Sequence, residues 1–181
     1  MDLFFSPGVG LFLLLFIILV FGTHAYAGVI GASWVPSRRR DLARILAASQ
    51  GFQGKVIYDL GCGEGCVMRA FAKQYPHAQV IGYELSLPMY LWCACANFFS
   101  PACARLHTVW KNIYHTHLHD ADLVYCFLMP HAMRQLAPFF KSALKPGTLV
   151  ITYAFPLPGW HGECLKSSDR ELPIYRYTVP S

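Results

Sequence analysis

The stretch Val56-Ile57-Tyr58-Asp59-Leu60-Gly61-Cys62-Gly63-Glu64-Gly65 constrains this chain more than any other. An apolar run with β-branched and aromatic residues leads to an acid, and three alternating glycines follow. The pattern predicts a buried parallel strand entering a tight turn, with helix formers from Cys66 to Gln74 behind it. Glycine at these positions admits positive φ and lets a ligand approach with no Cβ in the way. The helix behind the turn begins with free N–H groups that point at whatever rests there.

A dinucleotide turn, Gly-x-Gly-x-x-Gly, would place glycine or alanine at 66, where this chain has Cys66. What is present is Asp-x-Gly-x-Gly-x-Gly. Nineteen residues after Gly65, the run Gln79-Val80-Ile81-Gly82-Tyr83-Glu84 ends in a second acid. One helix and a turn fit between them, the length of a right-handed βαβ crossover. A carboxylate at the tip of that second strand can accept both hydroxyls of a ribose. Glycines serving only as turn punctuation are the competing account, and they leave the paired acids unexplained. The combination predicts an α/β fold: a Rossmann-like, mostly parallel sheet with helices on both faces.

Asp59 with Gly61, Gly63 and Gly65 resembles the first motif of the class I (seven-β-strand) S-adenosylmethionine-dependent methyltransferases. The resemblance implies S-adenosyl-L-methionine as cofactor. It places the methionine part on the turn formed by Asp59, Gly61, Cys62, Gly63 and Gly65, and the ribose on Glu84 beside Leu85. It places the adenine near Asn112, where the family usually has an aspartate. At the fourth strand tip, amine-directed members often carry Asn/Asp-Pro-Pro-Tyr/Phe; this chain has Leu128-Met129-Pro130-His131. No catalytic residue is assigned.

The apolar content, 55%, is high and the charged content, 14%, is low for a soluble chain of 181 residues. The N-terminus accounts for part of that. From Gly8 to Ile30 the strongly polar residue is His24, and these 23 residues are long enough to span a bilayer. Ala25-Tyr26-Ala27 resembles a signal cleavage site, but no positive charge precedes the apolar run. The expectation is a retained transmembrane helix, with residues 1–35 as the anchor and 36–181 as the methyltransferase domain. Arg38, Arg39, Arg40 and Arg44 follow the span, which predicts a single-pass protein of the inner or cell membrane with a cytoplasmic domain. Tyr26 and Trp34 are placed for the interface. Ser37 is a plausible cap for a helix from Arg38 to Ala48.

The net charge of +5, without a basic run interleaved with aromatics, does not suggest nucleic acid as a partner. None of the seven cysteines forms a Cys-x-x-Cys pair, and reduced, buried thiols in a reducing compartment are expected. His115, His117 and His119 alternate, but a surface loop explains them better than a metal site. Further elements are expected as a helix from Met89 to Phe99 and strands at Arg105–Trp110 and Asp122–Leu128. A helix at His131–Leu144 and a strand at Thr148–Phe155 come next, and Ile174–Val179 is expected as an edge strand. Tyr83, Tyr125, Phe127 and Trp160 are candidates for an acceptor pocket, with core packing the commoner fate of such residues.

The order Tyr-Asp-Leu-Gly-Cys-Gly-Glu-Gly, Gly-Tyr-Glu, Val-Tyr-Cys-Phe-Leu-Met-Pro, Leu-Lys-Pro-Gly and Ala-Phe-Pro-Leu-Pro-Gly-Trp, behind an apolar span, narrows the resemblance. It looks like a small bacterial relative of the membrane-anchored protein-lysine methyltransferases. Their mitochondrial members act on the ATP synthase c subunit and the adenine nucleotide translocase. The implied partner is a lysine of a protein at the membrane. A lipid or other hydrophobic small molecule is the alternative acceptor, and a cofactor-binding interaction module without activity is a third reading.

Overall fold

The computed structural model describes residues 7–30, 39–166, 168 and 171–180. The strands are β1 (Val56–Leu60), β2 (Gln79–Glu84), β3 (Leu106–Trp110), β4 (Leu123–Cys126), β5 (Leu149–Tyr153), β6 (Glu163–Leu165) and β7 (Ile174–Thr178). They form one sheet in the order β3-β2-β1-β4-β5-β7-β6. The first five run parallel; β7 is antiparallel to β5, and β6 is antiparallel to β7.

Alternate residues along the central strands feed two cores, one on each face of the sheet. Tyr58, Leu60, Val124, Cys126 and Val150 enter one, together with Met133, Leu136 and Phe140 of α5 (Pro130–Ala143). Ile57, Leu123, Tyr125, Ile151 and Tyr153 enter the other. That second core is closed by α2 (Leu42–Ala48), α3 (Cys66–Gln74) and Cys93 of α4 (Leu87–Phe98). Because β1, β4 and β5 are covered on both sides, they read as continuous apolar runs. Pro138 lies on the exposed face of α5, where the carbonyl it frees can meet water.

The C-terminal strand differs from expectation. β7 is not an edge: the short β6 pairs outside it, Glu163 opposite Arg176, and takes the edge position. The sequence suggests a loop with a short strand over 156–169, and Glu163–Leu165 is that strand, though its pairing outside β7 has no signal of its own. The helix expected from Arg38 is a 3-10 turn at Arg39–Asp41 followed by α2, with Asp41 at the cap position; Trp34, Ser37 and Arg38 lie outside the described residues. β4 is shorter than Asp122–Leu128, since Asp122 turns back to accept the N–H groups of Lys55 and Val56 and an ion pair from Lys145. Not all thiols are buried: Cys95, Cys103 and Cys164 are exposed.

Ahead of the sheet lies α1 (Pro7–Ile30), 24 residues and about 36 Å long. It is long and apolar enough to cross a membrane, and Leu11 through Leu19 are exposed along its flank. Its last turns meet the domain. Ala27 is buried, Thr23 Oγ1 accepts the N–H of Leu87 (3.2 Å), and His24 Nδ1 lies 3.0 Å from Ser86 Oγ.

Candidate cofactor site

The order of strands reverses at β1: the chain runs outward through β2 and β3, then returns to pair β4 on the other side of β1. Open α/β sheets bind ligands beyond the strand tips at such a switch. The glycine turn sits there. Gly61, Gly63 and Gly65 take φ of 77°, 53° and 75°. At Gly61 a Cβ would come within 2.8 Å of Leu128, and at Gly65 within 2.5 Å of Cys93 Sγ, so both space and backbone demand glycine. The N–H groups of Gly61 and Cys62 both donate to the carbonyl of Tyr83, stitching the turn to the tip of β2.

Glu84 is buried and completes that stitch. Its Oε2 accepts the N–H of Gly63 at 2.9 Å, and its Oε1 accepts those of Leu85 (2.9 Å) and Ser86 (2.8 Å). Burial raises its carboxyl pKa above the ordinary value, and the three N–H donors partly offset the rise. A carboxylate has about four acceptor sites, so this one retains capacity for a hydroxyl. Asp59 is buried on β1, and its Oδ2 is without a hydrogen-bond partner. Burial, with Cys93 and Glu84 nearby, pushes its pKa well up.

The other predicted residues are placed as follows. Cys62 lends its backbone to the turn while its thiol points into the core, 3.9 Å from Cys93 Sγ. The hydrogen bond to Cys93 and burial raise the Cys62 pKa, and burial lifts Cys66 to about 11. Neither thiol is therefore poised as a nucleophile. Leu85 follows Glu84, and its carbonyl accepts the indole N–H of Trp110 at 2.8 Å. Asn112 follows β3 and spends its side-chain oxygen capping the 3-10 turn Ile113–His115 through the N–H of Tyr114. That cap gives Asn112 a local role an adenine contact would have to share.

The aromatic pocket does not assemble. Tyr125 is core, Tyr83 stacks on Tyr58, Phe127 packs on Tyr153, and Trp160 donates to the carbonyl of Ala137 against α5. The rings of His117 and His119 are 6.5 Å apart, and no group of three His, Cys, Asp or Glu residues able to share an ion occurs among the described residues.

Sequence reasoning missed three supports. Trp110 covers the loop after Glu84. Arg69 Nη1 donates to the carbonyl of Glu64 and to Asn97 Oδ1, bracing the turn against α4. Ser86 joins that loop to α1. The signal available in advance was Asn97, a lone amide inside an otherwise apolar helix.

A family-level match, described as the ANTKMT methyltransferase domain, spans residues 59–164, more than half the chain. The chain belongs to this methyltransferase family. A protein-lysine N-methyltransferase of Saccharolobus islandicus is 28% identical over 150 residues, covering 81% of this chain and 92% of that protein. A release factor glutamine methyltransferase of Geobacter sulfurreducens is 32% identical over 71 residues, covering 37% of this chain and 25% of that one. Among solved structures, an RNA methyltransferase from Salinibacter ruber in complex with S-adenosyl-L-homocysteine shares the fold at a TM-score of 0.75. It is 22% identical, with coverage of 81% and 94%.

This ANTKMT-type domain is thus an S-adenosylmethionine-dependent methyltransferase with the seven-stranded fold of its class. The residues present fit the cofactor on two grounds: an unpartnered buried carboxylate oxygen at Asp59, and a turn whose glycines leave no room for a Cβ. When bound, the cofactor supplies an electrophilic methyl group on a cationic sulfur.

Proposed function

We propose that this chain is a membrane-anchored protein-lysine methyltransferase, with residues 1–35 as a single-pass anchor and 36–181 as the cytoplasmic catalytic domain. The observation that carries the proposal is the junction between α1 and the cofactor loop. An apolar helix able to span a bilayer hydrogen-bonds to Ser86 and Leu87, two and three residues beyond Glu84. That junction favours an acceptor at the membrane. The similarity to the Saccharolobus protein-lysine enzyme, across most of both chains, supports lysine as the acceptor residue.

In this account Asp59 Oδ2 takes the cationic amino end of the cofactor, and the glycine turn lies along its methionine part. Glu84, with Leu85 beside it, holds the ribose, and Asn112 borders the adenine. The chain's contribution to rate is placement: holding the acceptor nitrogen in line with the methyl carbon. The nitrogen must arrive unprotonated, and desolvation beside the apolar side chain of Leu128, which packs against Gly61, favours the neutral amine.

The same junction would also suit a lipid acceptor, so the test must separate the two. Full-length protein is incubated with radiolabelled S-adenosylmethionine and native membranes, and protein is then parted from lipid by solvent extraction. Label in a protein band supports the proposal; label confined to lipid overturns it in favour of the hydrophobic-acceptor reading.

A further inference from the structure

We infer that the outer face of α4 rests in the interfacial layer of the lipid bilayer that α1 enters, giving the domain a second membrane contact. The inference builds on the anchor reading above. From Leu85 to Ala104 the chain carries no charged side chain across twenty residues. One side of α4 meets the protein through Cys93 and Asn97. The opposite side presents Leu91 (53% exposed), Trp92 (61%), Phe98 (75%) and Phe99 (77%), with Cys95 among them. At 100° per residue these five lie within about 120° of arc.

A surface helix of a water-soluble domain turns its polar side outward; this one turns aromatic and aliphatic groups outward and has no polar side to offer. Such a contiguous apolar patch marks a contact surface. At 12 residues α4 is too short to cross a bilayer, and a span of that length is suited to lying in the interface. Tryptophan and phenylalanine are the residues interfacial helices use for that purpose.

Lipid is the occupant because the patch continues from α1. Thr23 and His24 meet Leu87 and Ser86 where α4 begins, so the exposed flank of α1 and the exposed face of α4 adjoin. Trp110, 47% exposed and bonded to the carbonyl of Leu85, extends the apolar surface to the tip of β3. The mouth of the cofactor site is then held against the membrane surface, which restricts acceptors to groups at or near the headgroup layer.

The test uses the full chain in phosphatidylcholine vesicles, with acyl chains either plain or brominated close to the headgroup. Bromine quenches tryptophan only on contact. The wild type is compared with Trp92→Phe, a change at an exposed position, and retained binding of S-adenosylhomocysteine verifies its fold. The expected result is that Trp92→Phe loses a distinct share of the bromine-dependent quenching. If both proteins are quenched equally, Trp92 does not touch lipid and the inference is overturned. Trp92 shielded from aqueous iodide yet unquenched by bromine means a protein or a second copy covers the patch, and also overturns it. Alkaline carbonate extraction separates the two layers of the argument. Protein that resists extraction while Trp92 stays unquenched keeps its anchor and loses only the α4 contact. Protein released by carbonate has no anchor, and both readings fall.

Discussion

Asp59 is buried, and its Oδ2 has no hydrogen-bond partner. Its folded pKa stands well above its unfolded value near 3.9, so above about pH 4 the folded state retains a proton the unfolded state has released. Stability from this group is full below that pH and is lost as pH rises toward the folded pKa, by up to about 1.4 kcal/mol per pH unit. Glu84 contributes with the same sign. Asp59→Asn should therefore flatten the pH dependence of thermal unfolding in the cofactor-free protein. It should also weaken S-adenosylmethionine binding by roughly tenfold or more through loss of a charged hydrogen bond. Unfolding scans from pH 4 to 8 and calorimetric titration check both. Gly65→Ala places a Cβ 2.5 Å from Cys93 Sγ at a φ of 75°, which costs about 1–2 kcal/mol in backbone alone. Chemical denaturation of the variant should show folding stability lowered by at least that much. Asp59, the three glycines and Glu84 were legible in the sequence because only a tight turn with no room for side chains explains them together. Arg69 and Trp110 were not, since an arginine on a helix and a tryptophan at a strand end have many ordinary uses.

The fold gives the stretch Ala154 to Trp160 a mechanical role. Ala154 leaves β5 at a φ of 69°, its N–H donating to the carbonyl of Pro173. Thr152 Oγ1 donates to the carbonyl of Phe155, the N–H of Leu157 donates to the hydroxyl of Tyr177, and Trp160 docks on α5. The segment folds the chain over the tip of β5 and clamps it to β7 and α5. Positive φ is a strain for alanine, so Ala154→Gly should relieve about 1 kcal/mol and raise the unfolding midpoint without changing cofactor affinity. A lower midpoint would mean that glycine's freedom in the unfolded chain outweighs the strain. The strands β1, β2, β4 and β5 were readable because burial on both faces leaves uninterrupted apolar runs. A short strand within 156–169 was readable, but the edge position of β6 was not, because it depends on pairing with β7 and not on any pattern of its own.

Taken together, the sheet order puts the cofactor turn at the switch point, the loop after Glu84 ties that turn to α1, and α1 has the length and composition of a membrane span. The candidate cofactor site and the span-length helix thereby meet within three residues. The span-length apolar helix and the class of chemistry were both expected from the sequence; the junction of that helix with the loop after Glu84 was not, because Thr23 and His24 lie over sixty residues from their partners Leu87 and Ser86. The acceptor remains the point on which the account stands or falls. The deciding measurement is amino-acid analysis of native membranes after reaction with radiolabelled S-adenosylmethionine and the full-length protein, with Glu84→Ala and Glu84→Gln alongside. Loss of the Glu84 carboxylate should lower labelling roughly a hundredfold at limiting cofactor, since in the proposed account it removes a charged hydrogen bond to the ribose together with the shared acceptor of the Gly63, Leu85 and Ser86 N–H groups. The account predicts label recovered as Nε-methyl-lysine with wild type and nearly absent with either variant. Label recovered as methylglutamine, or only in lipid, or undiminished by both Glu84 variants, would contradict it.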